Sequence, residues 1–389
     1  MRIEAIDLNF VELPLKSPFQ TSFGVEEVKS AWIVEVKSGG ISGYAESVAS
    51  RDPLYSEETH ATVYFAWKNH LVPRLMSLDI DGPEKISEVF EPLHGNRMAK
   101  AALEMAIWDW FAKSQGQPLW ALLGGSGERQ QIPVGVSIGI QPSLAALLDL
   151  AEGYFKKRYR RLKVKIKPGF DYHPLSTLRR AFGMDMPIMA DANSAYRLAD
   201  IDALKRLDEL ELMMLEQPLA YDDIIDHRTL SSAIQTPICL DESIRSEQDA
   251  RQALGIGACR IINIKVGRVG GYQVARRIHD TAARQGAPVW CGGMLETGIG
   301  RAHNLHLSTL SNFSLPGDTS ASDRYFDEDL IDPPFKLNRD GTLTVPSGPG
   351  IGVAPDPGQM QKFCSHRETW RLQGQWHLGG IPVGDPTSF

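Results

Sequence analysis

The chain changes its hydrophobic rhythm near residue 130. Before that point Ile6, Leu8 and Phe10 alternate with Asp7 and Asn9, and 31–36 is a second apolar run, which predicts antiparallel strands. Ala102, Met105, Ala106 and Trp110 then recur at helical spacing across 99–113, closed by Gln117-Pro118 and Gly124-Gly125. Residues 1–130 therefore predict an α+β domain. From Gln131 onward the pattern becomes short apolar runs, each followed by a polar residue or glycine and an amphipathic stretch: 132–140, 162–166, 187–190, 212–215, 237–240, 261–264 and 288–290. Four successive runs end at Asp191, Glu216, Asp241 and Lys265, spaced by 25, 25 and 24 residues. That period accommodates one strand, one helix and two short loops, and runs apolar on both faces predict a parallel sheet.

Eight such units need about 200 residues, which the span 131–330 provides. A (β/α) barrel is favoured over a doubly wound sheet, because no Gly-x-Gly-x-x-Gly follows Ile140 or Ile166. Residues 331–389 are less periodic. Leu343-Thr-Val345 predicts a strand and 348–352 a turn-rich return to the first domain, while the last 25 or so residues give no period and no assignable role.

Composition narrows the class. With 389 residues, 42% hydrophobic and 23% charged, the chain is globular rather than disordered. Four cysteines without paired spacing suit a reducing compartment and offer no structural zinc site. Charges in the first seven residues interrupt any signal peptide, and no apolar run reaches the ~18 residues of a membrane span. The expectation is a soluble cytoplasmic protein. A net charge of −7 argues against nucleic acid as the main partner, although eight of the twelve residues in 156–167 are Lys or Arg.

The period also distributes chemistry. The C-terminal ends of barrel strands form one face, where active sites are built. Counting 132–140 as the first strand, Lys163 and Lys165 close the second, Asp191 the third, Glu216 the fourth, Asp241 the fifth and Lys265 the sixth. Strands two and six lie opposite each other, so lysines face one another with the three carboxylates on the arc between them. Oxygen donors without His or Cys suit Mg²⁺, with Mn²⁺ or another divalent cation as a substitute. Single strand-end acids are often helix caps; three at constant period flanked by lysines favour a metal site. Lys163 and Lys165 share one strand face, and like charge together with burial favours a neutral, basic amine. The bland reading of 156–167 is a solvated face or polyanion patch, with Lys156 to Arg161 as the exposed end of the preceding helix. Gly270-Gly271 suggests only weakly a phosphate site, and His303 and His306 are expected to pack or to lie on the surface rather than ligate.

Lys163-Val-Lys165, Asp191-Ala-Asn193, Glu216-Gln-Pro218, Asp241-Glu-Ser243 and Asn263-Ile-Lys265 resemble the enolase superfamily, in its muconate lactonizing subgroup. The resemblance extends from residue 1 to about 355. Within the subgroup the chain is most similar to o-succinylbenzoate synthases that also racemise N-succinylamino acids, in Pro18-Phe-Gln-Thr-Ser-Phe-Gly24, Pro53-Leu-Tyr55, Gly95-Asn-Arg-Met-Ala-Lys100, Val136-Ser-Ile-Gly139, Trp290-Cys-Gly-Gly-Met-Leu-Glu-Thr-Gly298 and Leu315-Pro-Gly-Asp-Thr-Ser-Ala-Ser-Asp323. Val266 departs from the proline usual before Gly267.

The resemblance implies a modified (β/α)7β TIM-type barrel with an α+β capping domain formed by the N-terminal region and the C-terminal segment. It implies Mg²⁺ on Asp191, Glu216 and Asp241, Lys165 and Lys265 as catalytic bases, and a substrate pocket of Ser137, Lys163, Asn193, Arg268, Gly293, Met294 and Leu295 under loops bearing Phe19, Phe23 and Tyr55. The implied partner is a small carboxylate substrate, the implied assembly a homo-oligomer, and neither nucleic acid nor membrane is expected. Two alternatives stand beside it: a dipeptide epimerase or muconate-type cycloisomerase on the same site, and a polyanion-binding module using 156–167.

Overall fold

A computed structural model describes residues 1–371. Its strands in chain order are β1 (Ala5–Gln20), β2 (Val25–Ser38), β3 (Ile41–Ser47), β4 (Gln131–Pro133), β5 (Val136–Ile138), β6 (Leu162–Lys165), β7 (Ile188–Asp191), β8 (Leu215–Glu216), β9 (Ile238–Leu240), β10 (Ile261–Ile264), β11 (Val289–Cys291), β12 (Thr342–Thr344) and β13 (Cys364–Arg371). The first sheet is antiparallel in the order β13-β1-β2-β3. Ile6 opposes Val36 and Leu8 opposes Val34, all fully buried, so the period of two read from the sequence is the inward face of this sheet. The helix Arg97–Ser114 lies against β3 and is buried on nearly every face. Its approach is close enough that a Cβ on Gly43 would meet the Ala106 carbonyl oxygen at 2.1 Å, so only glycine fits there.

The second sheet is parallel, seven strands in the order β11-β10-β9-β8-β7-β6-β5, with at least one helix after each strand. The eighth position is filled by irregular chain: Asp318 N–H donates to Cys291 O at 2.9 Å, and Gly135 N–H donates to Gly317 O at 2.7 Å. This is the (β/α)7β barrel with an α+β cap that the resemblance implies.

Three sequence expectations change. The run 132–140 is not one strand: β4 leaves the barrel and pairs with β12, and only β5 joins the parallel sheet. The break falls at Gly135, where a Cβ would crowd Arg161 Nε at 2.9 Å. Arg161 is not part of an exposed helix end, since the helix Leu144–Lys156 stops earlier and Arg161 is completely buried. The C-terminal stretch without a period contains β13, which extends the first sheet through β1; the rest of it, 372–389, lies outside the described residues. The strand escaped notice because its alternation is polar on both sides, with only Trp370 buried. Among the described residues, no helix is long and apolar enough to cross a membrane.

The cap is joined to the helices around the barrel through buried histidine. His303 Nε2 bonds Tyr44 O at 2.7 Å, its Nδ1 meets Tyr272 Oη at 2.6 Å, and His306 Nδ1 accepts from Trp120 N–H at 3.1 Å. Both therefore pack in the interior, the first of the two expected placements. Burial lowers their pKa values to about 3 and about 4. An unfolded histidine takes up its proton near 6.5, so the depressed folded values mean stability is complete above that pH and is lost as pH falls toward them. Thermal melts are expected to show a midpoint that drops between pH 7 and pH 5, with His303→Gln flattening the loss by up to about 1.4 kcal/mol per pH unit.

Candidate active site

The C-terminal ends of β5 to β11 and the loops of the cap surround a cavity of about 100 Å³ that opens to solvent. Ser137, Lys163, Lys165, Asn193, Lys265, Gly293, Met294 and Leu295 line it from the barrel, and Phe19, Phe23 and Tyr55 from the cap. The cap loops are fixed by contact with the barrel. Ile140 N–H donates to Gln20 O at 2.9 Å, Ser22 Oγ donates to Asn193 O at 3.3 Å, and Tyr55 Oη donates to Asp241 Oδ1 at 3.1 Å.

Below the floor lies a cluster of buried opposite charges. Lys165 Nζ sits 2.6 Å from Asp191 Oδ2 and 2.5 Å from Asn193 Oδ1. Lys163 Nζ lies 2.5 Å from Asp318 Oδ2, 3.1 Å from Asp191 Oδ2 and 3.2 Å from Glu216 Oε2. Lys265 Nζ reaches Asp241 Oδ2 at 2.9 Å, and Arg268 Nη1 pairs with Asp241 Oδ1. Beneath them Arg161 pairs with Asp318 and stacks on the Trp290 ring at 4.3 Å.

These surroundings split the lysines. Burial, helped by the charge of Lys163, lowers Lys165 below the ordinary lysine value against the pull of Asp191. Burial also acts to lower Lys163, but Asp318, Glu216 and Asp191 outweigh it and hold its proton more tightly than usual. The sequence expectation that both members of the pair become more acidic therefore holds for Lys165 alone. Lys265 is likewise raised, Tyr55, Glu242 and Glu216 prevailing over burial. Among the acids, burial and the charge of Asp191 raise Glu216, whereas Lys165 and Lys163 overcome burial to keep Asp191 ionised.

Backbone strain concentrates at the same strand ends. Asn193, Ser194 and Gln217 have positive φ without being glycine. At Gln217 the strain aims Oε1 at two backbone donors, Asp241 N–H at 3.0 Å and Ser243 N–H at 3.3 Å, tying the end of β8 to that of β9.

Arg268, expected in the pocket, does not line it; its guanidinium is turned to Asp241, Ile244 O and Asn263 O behind the wall. Asp191, Glu216 and Asp241 are also below the lining. The basic run 156–167 does not form one surface: Arg161, Lys163 and Lys165 point inward, and Lys156 and Lys157 pair with Glu152 and Asp323. Gly270-Gly271 makes no anion cradle, because a Cβ at Gly271 would strike the Glu104 carboxylate at 1.5 Å. Sequence reading missed Arg161, Asp318, Glu242, Lys29 and Arg301. Asp318 had a signal, since continuing the period beyond Lys265 leads through Cys291 to 318, at steps of 26 and 27.

Among the described residues, no three Asp, Glu, His or Cys side chains stand together free to hold a metal ion, because lysines and Arg268 already occupy the carboxylates. The donor set still fits a hard divalent cation. Asp191 and Glu216 are paired residues of neighbouring strands and share the Lys163 ammonium, and the nearby Glu242 Oε2 and Asn263 Oδ1 are buried oxygens without a hydrogen-bond partner.

Residues 5–124 match the mandelate racemase / muconate lactonizing enzyme N-terminal domain, and 146–359 the enolase C-terminal domain-like family. The chain belongs to the enolase superfamily. It is 52% identical over 364 residues to an o-succinylbenzoate synthase of Geobacillus stearothermophilus, covering 93% of this chain and 96% of that one. It is 48% identical to an N-succinylamino acid racemase of Thermus thermophilus, covering 91% and 95%. A solved enolase superfamily member from Listeria innocua superposes with a TM-score of 0.92 at 43% identity, over 96% of this chain and 100% of that one.

Removing Arg161 leaves Asp318 with a single cation in a dry setting. Arg161→Met is expected to destabilise the fold by about 3–5 kcal/mol in urea titration, whereas Lys156→Met on the surface is expected to change it by less than about 1 kcal/mol.

Proposed function

We propose that the protein is a divalent-metal-dependent lyase and isomerase: an o-succinylbenzoate synthase that dehydrates the 2-succinyl-6-hydroxy-cyclohexadiene-carboxylate precursor, and an N-succinylamino acid racemase. The observation that carries this reading is the pair Lys165 and Lys265, two buried amines on one cavity, carried by β6 and by the residue following β10, four places apart in the sheet order. In a barrel of eight positions that is half a turn. The names of the relatives at 52% and 48% identity supply the substrate class.

Asp191, Glu216 and Asp241 would hold the cation, Mg²⁺ or Mn²⁺, which when bound supplies fixed positive charge toward a substrate carboxylate. Every proton transfer falls to the protein. Ser137, Asn193 and the chain at Gly293, Met294 and Leu295 orient the substrate, while Phe19, Phe23 and Tyr55 exclude water. Lys165, its proton loosened by burial, takes the α-proton on Nζ. In dehydration the same Nζ returns that proton to the departing hydroxyl, which leaves as water as the new C=C bond forms. Lys265 keeps its proton there and offsets the charge developing on the substrate. In racemisation Lys265 Nζ delivers a proton to the opposite face, and the reverse direction exchanges the two roles. Lys163, locked as an ammonium by Asp318, Glu216 and Asp191, provides charge rather than a base. Four free thiols support placing the protein in the cytoplasm.

Purified protein with Mg²⁺ is expected to aromatise the cyclohexadiene precursor and to interconvert N-succinylamino acid enantiomers. Lys165→Ala is expected to abolish both activities and Lys265→Ala to abolish racemisation, each by at least about 10³-fold. An inactive wild type would overturn the assignment, and racemisation retained without Lys265 would overturn the two-base scheme. Because Lys165 acts as a neutral amine, kcat/KM for dehydration should rise with pH along a limb lying below the ordinary lysine pKa of about 10.4.

A further inference from the structure

Two buried cations on the cavity, Lys29 and Arg301, are not used by this chemistry, and Arg301 is taken up by the Ser320 and Glu296 carbonyl oxygens. Lys29 lies on β2 of the cap sheet, is 5% exposed, and lines the cavity from the side opposite the barrel floor. Its environment differs from that of the floor lysines. Lys163 and Lys165 are each surrounded by carboxylate or amide oxygens at 2.5–3.2 Å. The Lys29 ammonium, with three donors, makes one hydrogen bond among the described residues, to Met294 O at 3.1 Å.

Its one ionic neighbour among the described residues is Glu46, at a loose 3.5 Å, and Glu46 is committed elsewhere. Glu46 Oε2 accepts from Thr297 N–H, Thr297 Oγ1 and Gly300 N–H, at the N-terminus of the helix Gly298–Leu307. Glu46 Oε1, the atom nearest Lys29, forms no hydrogen bond. Burial in addition raises the pKa of Glu46, which weakens it as a counter-ion. The other buried acid on this wall, Glu296, is taken up by Met294 N–H and Asn304 Nδ2. Lys29 thus presents unfilled donors to the cavity from a buried position, an arrangement that favours an incoming anion.

We propose that Lys29 is a specificity-determining residue that binds the second carboxylate of the substrate, the end of the succinyl arm remote from the reacting carbon. The inference rests on the function proposed above and deepens it. The two proposed substrates differ at the reacting centre but share a succinyl arm, and a cation on the cap, away from the proton-transfer lysines, recognises the shared part.

The test compares N-succinyl-phenylalanine with N-butanoyl-phenylalanine, which keeps the arm and lacks its charge, in wild type, Lys29→Met and Lys29→Arg. Wild type is expected to prefer the succinyl substrate. In Lys29→Met the succinyl-to-butanoyl ratio of kcat/KM should fall at least tenfold, through KM with kcat changed less than threefold, and Lys29→Arg should restore most of it. A Lys29→Met/Glu46→Gln variant, which removes the orphaned acid with the lysine, should show the same collapse if Lys29→Met alone folds poorly. Equal losses on both substrates, or an unchanged ratio, would overturn the assignment of Lys29 while leaving the proposed function standing. A wild type that racemises neither compound and does not aromatise the cyclohexadiene would instead bring down the function itself.

Discussion

The structure depends on pairing opposite charges where water cannot reach them. At the carboxyl ends of the barrel strands Lys163, Lys165, Lys265 and Arg268, with Arg161 beneath them at the amino end of β6, are buried with Asp191, Glu216, Asp241, Glu242 and Asp318, so formal charges cancel within the cluster. A lone ion at any of these positions would be destabilising by several kcal/mol, and the pairs persist because each charge but Glu242 has an opposite charge close by. The same pairing sets function. Under the proposed chemistry a divalent cation and a substrate with two carboxylates enter together and add no net charge, which allows a buried site to be loaded without a large electrostatic penalty.

Apolar packing elsewhere holds this cluster in register. The barrel strands are short, two to four residues, yet each is buried on both faces, so their ends cannot slide without moving aliphatic side chains out of the core. Lys163 and Lys165 point inward only because Leu162, Val164 and Ile166 pack outward. Gln217, strained at positive φ, and Arg268, bonded to two backbone carbonyls, then fix the ends of β8, β9 and β10 relative to one another. Asp318 completes the ring from the irregular eighth position, reaching both Arg161 and Lys163.

Much of this was legible in the sequence because the barrel is periodic and its charges fall at period ends. The spacing of Asp191, Glu216, Asp241 and Lys265 located four strands and the face they share. What escaped had no such signature. Arg161 looked like surface because it sits in a basic run, and only the cation–π contact with Trp290 and the pair with Asp318 explain its burial. Lys29 lies in a strand whose neighbours read as solvent-facing, and its burial arises when the cap settles over the barrel, a contact between residues far apart in sequence. β4 was merged with β5 because sheet membership is decided by Arg161 and Gly317, neither of which is local. The divergence of Lys163 from Lys165 followed from Asp318, more than 150 residues downstream.

The central claim, that two lysines address opposite faces of one bound carboxylate, is tested most directly by enantiomer-resolved exchange of the α-proton in D₂O, followed by ¹H NMR with Mg²⁺ present. Wild type should exchange both enantiomers of an N-succinylamino acid. Lys165→Ala should exchange only one of them and Lys265→Ala only the other. Exchange of both enantiomers by either single variant would contradict the account.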